Sequence, residues 1–205
     1  MIDMAIPQKE ITGVILAGGR AQRMGGVDKG LLLLNGKPMI EHVITALRVE
    51  IDNLLINANR NHERYAGFGY PVIPDILDGY LGPLAGIASG MRAASTRYIV
   101  TAPCDSPLVA GGLVQRLCET LTRENADISV AHDGERMHPV FALIRRDLLP
   151  SLIDFLDTGQ RKIDRWYAQH RLAVAYFRDQ PEAFRNVNSP GERAELESEL
   201  EAISR

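Results

Sequence analysis

Two cationic side chains, Arg23 and Lys29, lie close together in the segment VILAGGRAQRMGGVDKGLL, residues 14–32. They follow an apolar run that ends at Gly18 and Gly19. Glycines carry no side chain, so backbone N–H groups can approach phosphate oxygens closely there. Arg and Lys then neutralise the anion, Arg as a planar fork and Lys as a point charge. The segment therefore predicts a phosphate-binding loop, although a surface loop with solvated charges has a similar composition.

Two better-known phosphate motifs are missing from the sequence. Gly36 and Lys37 are followed by Pro38, and Leu31 stands where a P-loop has its first glycine. The first loop also lacks the pattern G-x-G-x-x-G. These departures argue against a P-loop NTPase and against a dinucleotide-binding oxidoreductase.

A carboxylate with metal-binding chemistry occurs in the segment APCDSP, where Asp105 lies between Pro103 and Pro107. Mg²⁺ takes one or two carboxylates and completes its shell with phosphate oxygens and water. Asp105 is therefore a candidate Mg²⁺ ligand, and Asn188 in NVNSP is a candidate for a second oxygen on the same ion. We interpret Cys104 as a small buried neighbour of Asp105, because no partner base for a catalytic thiol is evident.

The elements that must position these residues are short apolar runs, most of them followed by a helix-like segment. Runs that are apolar on both faces and alternate with helices indicate a parallel sheet covered on both sides. The predicted strands are residues 12–17, 53–58, 70–75, 98–102 and 172–177. Two helices are predicted at residues 39–49 and 83–94, the second with Pro83 in its first turn. A third is indicated by the spacing of Leu113, Val114, Leu117 and Leu121. A last helix begins at Pro190, where Ser189 and Glu192 form a capping box.

The pattern changes after about residue 125, where residues 126–144 predict two strands joined across Asp133 and Gly134. We therefore predict one α/β domain with a Rossmann-like, mostly parallel sheet, helices on both faces, and an antiparallel addition in the C-terminal half. Its parts are a nucleotide-type half over about residues 12–125, a more irregular half over about 126–190, and a C-terminal helix over 190–205.

Four predicted strands end in groups suited to binding. The first run ends at Gly18 and Gly19, the second at Asn57, the third at Asp75 and the fourth at Asp105. In an open parallel sheet, ligands bind in the crevice beyond the carboxyl ends of the strands. An isolated Asn or Asp after a strand is more often a turn or capping residue. Their coincidence with a basic loop favours one shared binding crevice.

Composition narrows the class of ligand. The chain has 205 residues and a net charge of -3. Proteins that bind long nucleic acids usually have a basic surface and a high pI, so this charge argues against such binding. The two cysteines, Cys104 and Cys118, imply neither a disulfide framework nor a zinc site. No signal-type N-terminus and no apolar run of bilayer-spanning length occurs, so we expect a cytoplasmic protein that binds a small anion.

Together these segments resemble the nucleotidyltransferase superfamily, in the form found in molybdenum cofactor guanylyltransferases. The resemblance runs through LAGGRAQRMGGVDKG, INANR, VIPDILDGYLGPLAGI, APCDSP, HDGERMHPVFAL and NVNSP, in that order, over about residues 12–191. Two positions depart from the family pattern, since Ser189 replaces a more usual Thr and Gly191 stands where an acidic residue is common.

The resemblance implies transfer of GMP from GTP to molybdenum-bound molybdopterin, with release of pyrophosphate and with Mg²⁺ as cofactor. Carried over by position, the nucleotide-binding residues are Leu16, Ala17, Gly18, Gly19, Lys29, Asn57, Asp75 and Asp105. The catalytic residues are Arg23, Lys29 and Asp105, and the metal ligands are Asp105 and Asn188. For binding the pterin, the resemblance suggests His138, Arg161 and Lys162. It is an equally good interpretation that His138 is only a histidine in a strand, and that Arg161 and Lys162 are only solvated charges at the start of a helix.

The implied partners are small molecules, together with other cofactor-biosynthesis proteins and molybdoenzyme chaperones. We expect a monomer that binds neither nucleic acid nor a membrane. The alternatives are a cytidylyltransferase for the same pterin, a sugar-phosphate nucleotidyltransferase, and a non-catalytic GTP-binding regulator.

Overall fold

The computed structural model of the chain describes residues 6–18, 28–77 and 82–203. The strands are β1 (Ile11–Leu16), β2 (Leu33–Leu34), β3 (Lys37–Pro38), β4 (Asn53–Asn57), β5 (Val72–Ile73), β6 (Tyr98–Pro103), β7 (Ile128–His132), β8 (Met137–Arg145) and β9 (Leu172–Tyr176). The helices are α1 (Met39–Arg48), α2 (His62–Ala66), α3 (Pro83–Ala93), α4 (Leu113–Arg123), α5 (Leu149–Asp157), α6 (Ile163–Tyr167) and α7 (Pro190–Ile203). Among these described helices we find none with the length and apolar character needed to span a bilayer.

Seven of the strands form one sheet in the order β5-β4-β1-β6-β8-β7-β9. β5, β4, β1 and β6 run parallel, as do β7 and β9, whereas β8 is antiparallel to both of its neighbours. The short connection between β7 and β8 suits an antiparallel pair, because parallel neighbours need a long crossover. The predicted mostly parallel α/β sheet with an antiparallel addition is therefore confirmed.

The register of the parallel strands brings their carboxyl ends to one edge. Leu16 at the end of β1 pairs with Asn57 on one side and with Pro103 on the other. Asn57 in turn pairs with Ile73 at the end of β5. Because β8 runs the other way, its first residues, beginning at Met137, reach this same edge.

The strands are buried because helices cover both faces of the sheet. α1 and α4 pack with Ile15 on one face, and α3, α5 and α6 pack with Val14 on the other. Two glycines let α3 lie close to the sheet: a Cβ on Gly90 would lie 2.7 Å from Val14 Cγ2, and one on Gly86 would lie 2.4 Å from Asn57 Oδ1. Burial on both faces explains the nearly continuous apolar runs in the sequence.

The last helix, α7, packs against the small β2–β3 hairpin through Leu196, which joins a buried cluster with Leu34. Its first turn is capped by the Ser189 hydroxyl, which accepts the N–H of Glu192 at 3.2 Å. The Glu192 carboxylate accepts the N–H of Asn188 at 2.6 Å, one residue earlier than in the predicted capping box. This contact fixes the backbone of Asn188 directly before the helix.

Candidate functional site

Three of the predicted site residues meet at the carboxyl edge of the sheet. The Lys29 ammonium donates to Asp105 Oδ2 at 2.9 Å and to Asn188 Oδ1 at 2.6 Å. The side chains are partly buried, with 25 % of Lys29 and 15 % of Asp105 exposed. Residues from three distant parts of the chain therefore converge on one nitrogen.

The backbone of Lys29 is held in place by its neighbours on both sides. The carboxylate of Asp28 is 7 % exposed and accepts hydrogen bonds from the hydroxyl of Tyr65 and the amide of Asn61. Gly30 packs so closely that a Cβ there would lie 2.8 Å from Tyr65 Oη. Burial, with the adjacent Cys104 and Asp28, raises the pKa of Tyr65 well above its usual range, so its hydroxyl stays a donor.

Asp105 lies where the chain leaves β6, and contacts with the segment before α7 hold it. Its backbone carbonyl accepts the N–H of Val187 at 2.8 Å, and the neighbouring Ser106 hydroxyl bonds to the side-chain oxygen of Asn186. Cys104 is buried, and burial raises the pKa of its thiol well above the usual range. The thiol therefore stays neutral, which agrees with its interpretation as a small buried neighbour.

A second group of predicted residues forms a network around Asp75. Its carboxylate accepts the side-chain amides of Asn57 at 2.9 Å and of Asn59 at 2.8 Å. The backbone N–H of Asp75 donates back to Asn59 Oδ1 at 2.8 Å. These bonds fix the orientation of the carboxylate, and each of its oxygens retains a lone pair for a ligand.

The two groups share a cavity of about 370 Å³, here called the first cavity. Its lining residues are Leu16, Gly18, Asn57, Asp75, Gly82, Pro83, Gly86, Pro103, Asp105, Val140 and Asn186. Of the predicted nucleotide-binding residues, Ala17 lies beside the cavity and is buried, with its N–H bonded to the carbonyl of Asn57. Gly19 and Arg23 fall outside the described residues.

An adjoining space of about 950 Å³, the second cavity, has Asn188 in its wall and shares Pro103, Val140 and Asn186 with the first. Its other lining residues belong mainly to the start of β8 and to the segments before and after Asn186. Asp105 lines the first cavity and Asn188 lines the second. The Lys29 ammonium therefore links the walls of the two cavities.

His138 lies in the wall of the second cavity, where its ring stacks on Phe184 with the ring centroids 4.7 Å apart. Its Nε2 lies 2.6 Å from Asp133 Oδ2. Burial opposes the charge on Asp133, but the N–H groups of Arg136 and Glu135 together with His138 hold its pKa well below the usual range. The carboxylate is therefore ionised and keeps the imidazole in one orientation.

The other two residues suggested for the pterin side do not join this group. Arg161 is exposed and lies after α5. Its guanidinium donates hydrogen bonds to the carbonyls of Leu156, at 2.7 Å, and Gln160, at 2.6 Å. Lys162 directly precedes α6. Neither residue lines the first or the second cavity.

Four residues of the site had been given no role from the sequence: Asp28, Asn59, Asp133 and Asn186. Each occurs in a motif that carried the family resemblance, in VDKG, INANR, HDGER and NVNSP respectively. All four bear carboxylate or amide groups next to predicted strand ends or site residues. That combination of residue type and position was the signal that could have identified them.

The residues at Lys29 fit a magnesium ion. The described part of the chain has no cluster of three or more His, Cys, Asp or Glu side chains suited to a metal. It does have one carboxylate oxygen and one amide oxygen that already converge on a cation, the Lys29 ammonium. Mg²⁺ needs no dedicated protein cage, because phosphate oxygens and water complete its shell.

Comparison with known proteins identifies the family of the chain. Residues 13–174 match the family described as "MobA-like NTP transferase domain". Molybdenum cofactor guanylyltransferases from Shewanella sediminis and Shewanella loihica are 52 % and 51 % identical over 187 residues, which cover 91 % of this chain and 95 % of each relative. A solved structure named molybdopterin-guanine dinucleotide biosynthesis protein A, from Archaeoglobus fulgidus, superposes with a TM-score of 0.79 at 20 % identity and covers 93 % of this chain and 99 % of that one. At that identity the superposition shows the fold, whereas the sequence matches show that the chain belongs to the molybdenum cofactor guanylyltransferase family of MobA-like NTP transferases and is a nucleotidyltransferase.

Proposed function

We propose that the protein transfers GMP from GTP to the phosphate of molybdenum-bound molybdopterin and releases pyrophosphate. The names of relatives at about half identity support this choice of substrates. The observation that carries it is the contact of Lys29 with Asp105 and Asn188, which lies between two adjoining cavities. A transferase that joins two phosphorylated molecules needs such a meeting point.

In this proposal the nucleoside of GTP occupies the first cavity, beyond the end of β1. Guanine has adjacent N–H donors on its pairing edge, and a carboxylate can accept both at once. The carboxylate of Asp75 suits this role because the amides of Asn57 and Asn59 already hold it in one orientation. Asn57 is the other residue that could recognise guanine through hydrogen bonds.

The phosphates of GTP would lie towards Lys29, with Arg23 and the backbone N–H groups of the glycine loop as further donors. Asp105 and Asn188 would hold Mg²⁺, which when bound stabilises negative charge on the phosphates. Lys29 and Arg23 bind and orient the same anion and stabilise the charge that builds on the departing pyrophosphate. No residue is assigned as a general base, because a phosphate monoester is already largely ionised near neutral pH.

The acceptor would enter through the second cavity, whose lining comes largely from residues after 126. This supports the proposed division into a nucleotide half over about residues 12–125 and a pterin-side half over about 126–190. Of the residues that the resemblance suggests for the pterin, His138 lies in that wall, and Asp133 holds its ring in one orientation. An oxygen of the acceptor phosphate then attacks the α-phosphorus of GTP as the bond to pyrophosphate breaks.

A pyrophosphate-release assay tests the proposal. Purified protein is incubated with GTP, Mg²⁺ and molybdenum-loaded molybdopterin, and CTP replaces GTP in the control. We expect pyrophosphate release with GTP that depends on the pterin and is much slower with CTP. Equal release with CTP would favour a cytidylyltransferase, and GTP binding without release would favour a non-catalytic regulator.

A further inference from the structure

We propose that Lys29 competes with the divalent metal ion for the same two oxygens, and that a phosphate anion relieves this competition by accepting the lysine N–H groups. The inference rests on the proposed function in one respect, the assignment of Asp105 and Asn188 as the metal ligands. It concerns the order in which the ligands bind, which the family assignment leaves open.

The competition follows from the positions of the atoms. Asp105 Oδ2 and Asn188 Oδ1 both lie within hydrogen-bonding distance of the Lys29 nitrogen, at 2.9 Å and 2.6 Å. An ion that binds both oxygens from the side of the ammonium, at the distance of about 2.1 Å that Mg²⁺ requires, would overlap the ammonium. Two cations cannot occupy one position, so the metal must displace the lysine.

The backbones that carry the two oxygens stay in place when the lysine leaves, because each belongs to a fixed segment. The carbonyl of Asp105 is bonded to Val187, and the N–H of Asn188 is bonded to Glu192 at the start of α7. A vacated carboxylate and amide oxygen in these positions remain available to a metal. The proposed metal ligands are therefore carried by fixed backbone segments, and Lys29 is their present partner.

The side chain of Lys29 can move while its backbone stays in place. Asp28 and Gly30 fix the backbone on either side of it, through Tyr65, Asn61 and the close packing at Gly30. The lysine stem has four flexible carbons, and a quarter of the side chain is exposed. The ammonium can thus swing to a nearby phosphate without any change in the backbone of residues 28–30.

Charge balance then favours one order of binding. Without an anion, displacing Lys29 would leave an ammonium beside a divalent cation. With a triphosphate present, the ammonium would pair with phosphate oxygens, and Asp105 and Asn188 would be free to hold the metal. Metal alone should bind weakly, and nucleotide and metal should bind with positive coupling.

Binding of Mn²⁺, a spectroscopic substitute for Mg²⁺, to the nucleotide-free protein tests the competition directly. Electron paramagnetic resonance of free Mn²⁺ gives the affinity of the wild type and of Lys29→Met. We expect Lys29→Met to bind Mn²⁺ about tenfold more tightly or better, the worth of one hydrogen bond between charged groups. The matched control is Lys37→Met, which removes the same charge from an exposed position on β3. The gain should disappear in the double variant Lys29→Met with Asp105→Asn.

Three results would overturn the inference: no gain in Mn²⁺ affinity, an equal gain in Lys37→Met, or a gain that 0.5 M salt abolishes (roughly the level at which long-range fields are screened). Lys29→Ala repeats the test in a second variant, and circular dichroism checks the fold of each. Because the titration contains no nucleotide and no pterin, its failure leaves the pyrophosphate-release assay as an independent test of the proposed function.

Discussion

Lys29 and Asp105 are 76 positions apart in the sequence and are joined by a hydrogen bond of 2.9 Å. The contact holds Lys29 at the end of β6, at the edge where the parallel strands end. The carboxylate proposed to bind magnesium and the ammonium proposed to bind phosphate are thus close enough to act on one substrate. Each of the following predictions removes one part of this arrangement or of its support.

Replacing Asp105 with Asn should lower kcat for pyrophosphate release by roughly a hundredfold or more, because the transition state loses electrostatic stabilisation. The fold should persist, since the bond to Val187 uses the backbone carbonyl of Asp105. The measurement is turnover at saturating Mg²⁺. Asp179→Asn makes the same charge change at an exposed ion pair with Arg116 and should leave turnover intact. Near-normal kcat in Asp105→Asn would place the metal ligand elsewhere.

Replacing Gly86 with Ala should raise the KM for GTP, because the new Cβ would lie 2.4 Å from Asn57 Oδ1 and 2.7 Å from Leu16 Cδ2. Gly90→Ala is the matched control in the same helix, since its Cβ would press on the core residue Val14 instead. Both variants should lose about 1–3 kcal/mol of unfolding free energy through overpacking. Steady-state kinetics measure the KM, and denaturant unfolding measures the loss of stability. An equal change of KM in both variants would contradict the proposal that GTP binds beside Gly86.

Replacing Asp75 with Asn should reduce the preference for GTP over CTP in kcat/KM by about tenfold to a hundredfold, the worth of a bidentate contact to a base. The substitution also sets an amide N–H₂ opposite the amides of Asn57 and Asn59, so the side chain loses its fixed orientation. Asp52→Asn changes an exposed carboxylate elsewhere and should not alter the preference. An unchanged preference in Asp75→Asn would remove Asp75 from base recognition.

Asp127 should stabilise the protein in a pH-dependent way. Hydrogen bonds from Arg171, with Arg145 nearby, outweigh the effect of burial and hold the pKa of Asp127 below its usual range. A lowered folded-state pKa means that the stabilisation is present above the unfolded-state pKa and is lost as the pH falls through the folded-state pKa. Asp127→Asn should therefore cost unfolding free energy at pH 7, and the difference from wild type should shrink towards pH 2. Denaturant unfolding at pH 7 and at pH 2 measures the difference in unfolding free energy between the variant and the wild type. A difference that is the same at both pH values would contradict a lowered pKa of Asp127.

The strands and the strand-end residues were predictable because two simple patterns determine them. Runs that are buried on both faces stand out in a sequence, and parallel strands must end at one edge, so Asn57, Asp75 and Asp105 were expected together. The strand predicted at residues 70–75 is only Val72–Ile73 in the structure. Pro71 and Pro74 explain the difference, since proline cannot donate to the ladder of hydrogen bonds.

Other features escaped prediction because they depend on contacts between distant segments or on very short elements. The two-residue strands β2 and β3 are too short to show a periodicity. Their turn, Asn35 and Gly36, has positive φ at both residues, as an Asn-Gly hairpin requires, so that signal was present but unused. The contact between Lys29 and Asn188 spans 159 positions, and no spacing rule in the sequence fixes it.

The position of Asn188 near the end of the chain also determines when the proposed site is completed during translation. A growing polypeptide can complete most of the sheet and the pocket around Asp75 long before Asn188 and the capped helix behind it emerge from the ribosome. Until then Lys29 lacks one of its two oxygen partners. In the proposed function the site is therefore completed late in synthesis, and a nascent chain stalled before Asn188 would have most of the sheet but would lack this contact.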